Sequence, residues 1–229
     1  MITTTDELAK IVDDVAADST VFMYMPFTKF TGLLVSGGLW FGAQSNQIDV
    51  REPEPLLPSL SIGQHLEPSI HVRRYLAAMT CVGCWTLDDV LSDTMWRAYA
   101  STNGIAIQST VRRLKQCFGS LDRASFGPVV YADGQQGMKD RRFRRELEYR
   151  VAFRPKQSGK GSLIECNLNE LIETIWVSSL GTTSHFREHI GKLVQKFGVT
   201  SPVKIDDYYL TKHVAATNFF EGRFTRQLP

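Results

Sequence analysis

Glu146 and Glu148, in the stretch Arg145-Glu146-Leu147-Glu148-Tyr149-Arg150, carry the sharpest chemical signal in this sequence. Side chains two apart on a strand share a face, so both carboxylates point the same way if strand geometry begins at Glu146. A carboxylate held beside a sugar carbon that is losing its leaving group stabilises the developing oxocarbenium ion. The plainer alternative is a solvated strand edge, on which both acids answer the arginines that precede them.

A second constellation is Met95-Trp96-Arg97-Ala98-Tyr99. Trp96 and Tyr99 are three apart and share one helical face. Such a pair either packs into a core or forms a stacking wall for a ring or a base. A third is basic: Arg112, Arg113 and Lys115, then Lys139, Arg141, Arg142, Arg144 and Arg145, with Arg150 and Arg154 beyond and Phe143 and Tyr149 interleaved. The run is a solvated face unless it lines a cleft, where it suits a pyrophosphate or a nucleic-acid backbone. His185 and His189 are four apart but lack the glutamate of a zinc-protease motif. Cys81 and Cys84 have the spacing of half a zinc site or of a redox dithiol, with no second close pair to complete a metal site. They read as structural thiols in an apolar run, and no metal site is expected. No glycine-rich phosphate loop, nucleophile elbow or Ser-His-Asp arrangement is present.

The elements that must position these groups follow from the hydrophobic pattern. The chain has 229 residues, 43% hydrophobic and 22% charged, with a formal net charge of +2. That is enough apolar material for a full core, and too little net charge to announce a nucleic-acid or membrane partner by itself. Apolar stretches fall short of a bilayer span and the N-terminal segment is acidic and amphipathic, so a cytoplasmic protein is expected. Leu8, Ile11, Val12 and Val15 predict a first helix, and residues 21–25 a buried strand stopped by Pro26. A helix closed by Gly37-Gly38 and a strand over 39–43 come next. Residues 49–69 carry Pro53, Pro55, Pro58 and Pro68 and read as a loop or lid within one domain.

Residues 72–85 are apolar enough to run through the core as a strand. Leu87, Val90, Leu91, Met95 and Tyr99 predict a helix, and 104–110 a strand after the Asn103-Gly104 turn. A short basic helix over 110–118, a strand in Phe126–Asp133 and a strand over 146–153 follow. Residues 163–179 read as strand, short helix and strand, with Asn167 or Asn169 as cap. An amphipathic helix over 185–198 and a last strand from Pro202 complete the pattern. Irregular alternation of strands and helices predicts a mixed sheet in an α+β fold, one domain over 1–229 with its core at about 20–210.

The order of VFMYM, LLVSGGLWFGAQSNQID, CW, MWRAYASTNGIAI, VVYAD and FRRELEYRV, from about residue 20 to 180, resembles a bacterial family of unknown function numbered twenty-nine seventy-one. That layout is similar to the ADP-ribosyltransferase fold, a split mixed and antiparallel sheet, flanked by helices, that cradles NAD. The resemblance implies Glu148 as the catalytic acid, Glu146 as the group orienting the acceptor, and Ser109 as the middle-strand residue. It implies cofactor contacts from Tyr24, Trp96, Tyr99 and Arg150, and phosphate or nucleic-acid contacts from Arg141, Arg142, Arg144 and Arg145. Tyr24 stands where that fold has a cationic first-strand residue, a role for which Lys29 or Arg73 are substitutes. The implied activity is NAD-dependent transfer to a macromolecule, protein or nucleic acid, in a toxin or anti-phage setting. The rival expectation is a non-catalytic module that grips nucleic acid or a protein with the basic stretch 139–154.

Overall fold

The computed structural model describes residues 15–46, 75, 77–100, 102–131, 139–157, 159–179 and 184–206. The central strand β1 (Thr20–Pro26) is covered on both faces. Val21, Met23 and Met25 point to a large core, while Phe22 and Tyr24 point to a smaller one on the opposite face. Pro26 ends the strand and opens helix α1 (Phe27–Ser36), which buries Phe30, Leu33 and Leu34. Gly37 closes it at φ 62°, a left-handed torsion that costs glycine nothing.

The remaining elements are β2 (Gly38–Ala43), β3 (Cys81–Leu87), α2 (Asp93–Met95) running into a π-helical turn over Trp96–Ala100, β4 (Gly104–Thr110), α3 (Val111–Phe118) and β5 (Ser125–Pro128). A 3-10 helix over Arg141–Glu146, β6 (Glu148–Phe153), β7 (Gly161–Glu165), α4 (Leu168–Leu171), β8 (Thr174–Val177), α5 (Ser184–Lys196) and β9 (Val203–Ile205) complete the order. The nine strands form a mixed sheet in the order β5-β6-β3-β1-β4-β8-β9, with β2 between β3 and β7 off that path. Pairings are antiparallel except β8 with β9. The fold is thus α+β, a mixed sheet flanked by helices. Among the described residues no helix is long and apolar enough to cross a membrane.

The sheet is split. β1 and β3 share two registered pairs, Val21 with Leu87 and Phe22 with Thr86. Beyond Phe22, β1 continues to Pro26 against β4, and the same edge of β3 is taken up by β2 at Val82 and Cys81. Residues 83–85 of β3 have no registered partner on that edge, which is where the fork lies. The large core fills one face with Phe41, Trp85, Ile105, Ile107, Tyr149, Val151 and Ile175. The other face carries Phe22, Tyr24 and Ala106 under Met95, Trp96 and Ala100 of the π-helical segment.

The differences from the sequence pattern have local causes. β3 starts at Cys81, and Ala77 and Ala78 before it are helical. The helix expected from Leu87 starts at Asp93, because Leu87 closes β3, its amide bonding the Leu147 carbonyl at 2.8 Å. The Asp88 carboxylate then accepts from the amides of Asp89 and Val90, a turn that competes with helix. Strand β5 covers Ser125–Pro128 alone, and β6 begins at Glu148 rather than Glu146. The helix expected over 8–15, the proline-rich stretch 49–69 and the end of the last strand lie largely outside the described residues.

Candidate active site

Glu148 lies on the last unbroken row of the sheet before the fork. Thr174, Gln108, Phe22, Thr86 and Glu148 pair in succession across β8, β4, β1, β3 and β6, so their side chains share a face. Two residues along, Trp176, Ala106 and Tyr24 form one half-row, and Cys84 with Arg150 forms the other. No Tyr24–Cys84 pair joins them. The carboxylate therefore stands at the base of the split, with Tyr24 on one arm and Cys84 and Arg150 on the other.

Glu148 is 4% exposed. Arg150 grips it in a fork, Nε donating to Oε1 at 2.5 Å and Nη2 to Oε2 at 3.1 Å. Lys139 Nζ donates to Oε2 at 3.0 Å, and the Cys84 thiol adds a further hydrogen bond. A carboxylate offers about four lone-pair sites, and these four donors match them. The Glu148 amide donates to the Tyr131 hydroxyl at 2.9 Å. Glu146 joins the same cluster from the end of the 3-10 helix: its Oε2 accepts from Lys139 Nζ at 2.5 Å and its Oε1 from the Tyr99 hydroxyl at 2.9 Å.

Two carboxylates thus face one ammonium and one guanidinium, a neutral buried cluster. Burial pushes the Glu148 carboxyl up, but the charge and hydrogen bonds of Arg150, the charge of Lys139 and the Cys84 thiol pull it down further, to about 2. Burial lowers Lys139, and Glu148 and Glu146 together raise it above its ordinary value. Burial, then the neighbouring Glu148 charge, raises the Cys84 thiol, and burial pushes the Tyr131 hydroxyl up to about 12. The site holds a buried anion whose acceptor sites are filled, and it accepts a further hydrogen bond only when one of these donors leaves.

The other expected residues divide. Tyr99 is 46% exposed and bonded to Glu146, so it belongs to the site. Trp96 is 1% exposed, packed edge-on against Tyr24 at 5.0 Å, with Nε1 donating to Asp206 at 2.6 Å. Its ring is structural packing and offers no open stacking wall. The Tyr24 hydroxyl accepts from the Ser92 amide at 2.9 Å, and the ring is buried. Ser109 faces the opposite layer, its hydroxyl donating to the Leu171 carbonyl at 2.6 Å, so it does not join the glutamates. Arg150 does join them.

Arg141, Arg142, Arg144 and Arg145 are exposed on the 3-10 helix, with Asp140 holding Arg142 at 2.7 Å. Arg112 is committed to Asp18 and Arg113 to the carbonyls at the end of α4. His185 and His189 are both exposed on α5. Cys81 faces the core and Cys84 the Glu148 side, because residues three apart on a strand point to opposite faces. The pair therefore cannot chelate one ion, and among the described residues no His/Cys/Asp/Glu group of metal-binding geometry occurs.

The spacing of Lys139, Tyr131 and Cys84 in the sequence does not point to this site. Lys139 is hidden in a basic run, yet it is 8% exposed while the arginines after it face outward. Asp140, whose side chain caps the 3-10 helix by accepting from the Arg142 amide, is the sequence signal that separates Lys139 from that run. A groove of about 500 Å³ lies elsewhere, between α5 and β9, lined by Arg187, Glu188, Val194 and Val203, and includes none of the expected site residues.

No family model matches the chain, and no curated protein sequence matches it. Among solved structures it is similar to DarT of Thermus sp. 2.9 in complex with ADP-ribosylated ssDNA, at 11% identity, covering 83% of this chain and 94% of that one, with a TM-score of 0.46. The complex of the same protein with NAD+ gives 11% identity, coverage of 83% and 96%, and a TM-score of 0.45. The complex with carba-NAD+ gives 10%, 83%, 96% and 0.44.

Proposed function

We propose that this chain is an ADP-ribosyltransferase-like protein that uses NAD as co-substrate to modify a macromolecule, with Glu148 as its acid. The observation that carries the reading is the placement of Glu148: buried, anionic, at the base of a split sheet, and tied through Lys139 to Glu146. In this reading the bond between the nicotinamide nitrogen and the ribose carbon breaks, and the bonding pair leaves with neutral nicotinamide. The Glu148 anion stabilises the positive charge on that carbon. An acceptor nucleophile forms the new bond and gives its proton to Glu146. The exposed ring of Tyr99 lies beside the acids, whereas Trp96 and Ser109 take no part. Lys139 and Arg150 are neutralised by the two carboxylates, so phosphates fall to the arginines of the 3-10 helix. Those exposed arginines, of which Arg142 shares its charge with Asp140, favour a polyanionic acceptor over a neutral one.

Incubation with labelled NAD tests the reading. Nicotinamide release and a labelled product, both falling at least 100-fold in Glu148→Gln, are expected. Wild-type protein that neither consumes NAD nor yields a labelled product sinks it.

A second reading is favoured by the saturation of Glu148: a carboxylate with every acceptor site filled also suits a structural ion-pair cluster. The chain would then be a binding module that grips nucleic acid with Arg141, Arg142, Arg144 and Arg145. Binding of a single-stranded oligonucleotide that weakens steeply with salt, and that survives Glu148→Gln, favours it. Replacing Arg144 and Arg145 by serine then flattens the salt slope by about one for each phosphate that is no longer neutralised.

A further inference from the structure

Lys139 differs from every other basic residue in its neighbourhood. Its backbone amide donates to the Val130 carbonyl at 3.0 Å, and an isolated bridge pairs it with Tyr131, so both residues arrive at Glu148 from one strip of backbone. Its ammonium stands 5.1 Å from the centre of the Phe143 ring, which covers one side of the charge. The two acidic contacts are unequal: 2.5 Å to Glu146 and 3.0 Å to Glu148. Arg150, by contrast, holds Glu148 with two donors from a planar fork.

We propose that Lys139 is the positioning residue of this site: its ammonium ties Glu146 to Glu148 and yields its longer bond to Glu148 when a hydroxyl donor reaches that carboxylate. The inference rests on the reading of Glu148 as the site's acid. Its geometry is the accounting of acceptor sites. Arg150, Lys139 and the Cys84 thiol occupy Glu148, so an incoming sugar hydroxyl must replace one donor. The Arg150 fork has two bonds to lose. Lys139 loses one and keeps the shorter bond to Glu146, so its charge stays compensated throughout. Among the described residues, the groups facing Glu148 are Cys84 from β3, Arg150 from β6, Tyr131, and Lys139, with Glu146 and Tyr99 behind Lys139.

The test uses the full chain with carbon-13 in its glutamate carboxyls. The Glu148 signal, assigned by its loss in Glu148→Gln, is followed against pH in wild type, Lys139→Met, Lys139→Arg and the double variant Lys139→Met/Glu146→Gln. Lys139→Met leaves two carboxylates for one guanidinium, and Glu148 is expected to titrate above about 3. Lys139→Arg retains the wild-type titration, and the double variant returns towards it because the competing anion is gone. The acid limb of NAD hydrolysis moves with the signal. A Glu148 titration unmoved in folded Lys139→Met overturns the proposal. If Lys139→Met does not fold, a double variant that folds and shows the low titration supports it, and one no more stable than the single variant overturns it. A titration that moves as expected in a protein that never consumes NAD upholds the role of Lys139 and rejects the transferase reading, so the two failures are distinct.

Discussion

Glu146 and Glu148 meet at one ammonium because Leu147 between them turns the chain, not because a strand carries both. Glu146 ends the 3-10 helix, Leu147 sits in the left-handed region at φ 44°, ψ 46°, and Glu148 is the first residue of β6. The Leu147 amide donates to the Arg144 carbonyl at 3.3 Å and its carbonyl accepts from Leu87 at 2.8 Å, so the turn is fixed on both sides. A strand starting at Glu146 would align the acids by alternation. Here a left-handed residue brings Glu146 back over the face that Glu148 occupies, and both reach Lys139.

Leu147 is 45% exposed, so little packing opposes its replacement. A leucine in the left-handed region carries roughly 1 kcal/mol of strain that glycine does not. Leu147→Gly is expected to keep stability within about 1 kcal/mol, because relief of strain and the entropy of a freer unfolded chain offset one another. Leu147→Pro demands φ near −65° and removes the amide bonded to Arg144, and is expected to cost about 3 kcal/mol or more. Urea unfolding of the two variants checks this; equal midpoints would show that the turn is not held as described.

Replacing Glu148 by glutamine leaves Arg150 without its anion and Lys139 with Glu146 alone. Removing one partner of a buried pair costs about 3–5 kcal/mol. In a chain of this size that is a fall in Tm of roughly 6–20 °C. Loss of activity in Glu148→Gln is therefore read at a temperature well below the variant's own melt. A Tm within about 1 °C of wild type would mean that the pairing contributes little.

The folded-state carboxyl of Glu148 lies at about 2, below its ordinary 4.5. A depressed acid stabilises the fold in full above the ordinary value, and the contribution drains as pH falls through that window. Wild-type stability is expected to decline between about pH 4.5 and 2 more steeply than that of Glu148→Gln, by about 3 kcal/mol over the window. Urea midpoints at several acid pH values check it, and parallel curves would contradict it.

Much of the frame was legible from periodicity. The buried strand over 21–25 stopped by Pro26, the left-handed stop at Gly37 and the Asn167 cap all follow local rules that the structure obeys. Glu146 and Glu148 were legible as a pair because acids two apart are conspicuous after four arginines. What failed depends on long-range register. The helix face of Trp96 leaves core packing and a stacking wall both open, and only the register decides for packing, since that face meets Tyr24 and Asp206, 110 residues further on in the second case. Ser109 has the residue type the middle strand needs, but its parity on β4 sends it to the other layer, towards Leu171. Lys139 was missed for the reverse reason: it reads as part of the basic run, and the Asp140 cap that separates it from the arginines does not say that two acids enclose it.

The π-helical segment that delivers Tyr99 to Glu146 is seated on β4 at a glycine, and this seat can be tested. A Cβ built on Gly104 would lie 2.4 Å from the Ala100 Cβ and 2.8 Å from the Ala100 carbonyl oxygen, with Ala100 the last residue of that segment. The obstacle is backbone and a methyl group without rotamers, so the segment itself must move. Gly104→Ala is expected to cost about 1–3 kcal/mol and to disturb the Tyr99–Glu146 contact, seen as a change in the Glu146 carboxyl signal. Gly32 supplies the contrast: it lies within α1, and a Cβ there meets nothing within 4 Å. Gly32→Ala is expected to raise stability by about 0.5–1 kcal/mol, since alanine removes backbone freedom from the unfolded chain. Urea midpoints that move in opposite directions, with the carboxyl signal shifting in Gly104→Ala alone, are the outcome that the close seat of Ala100 on Gly104 requires.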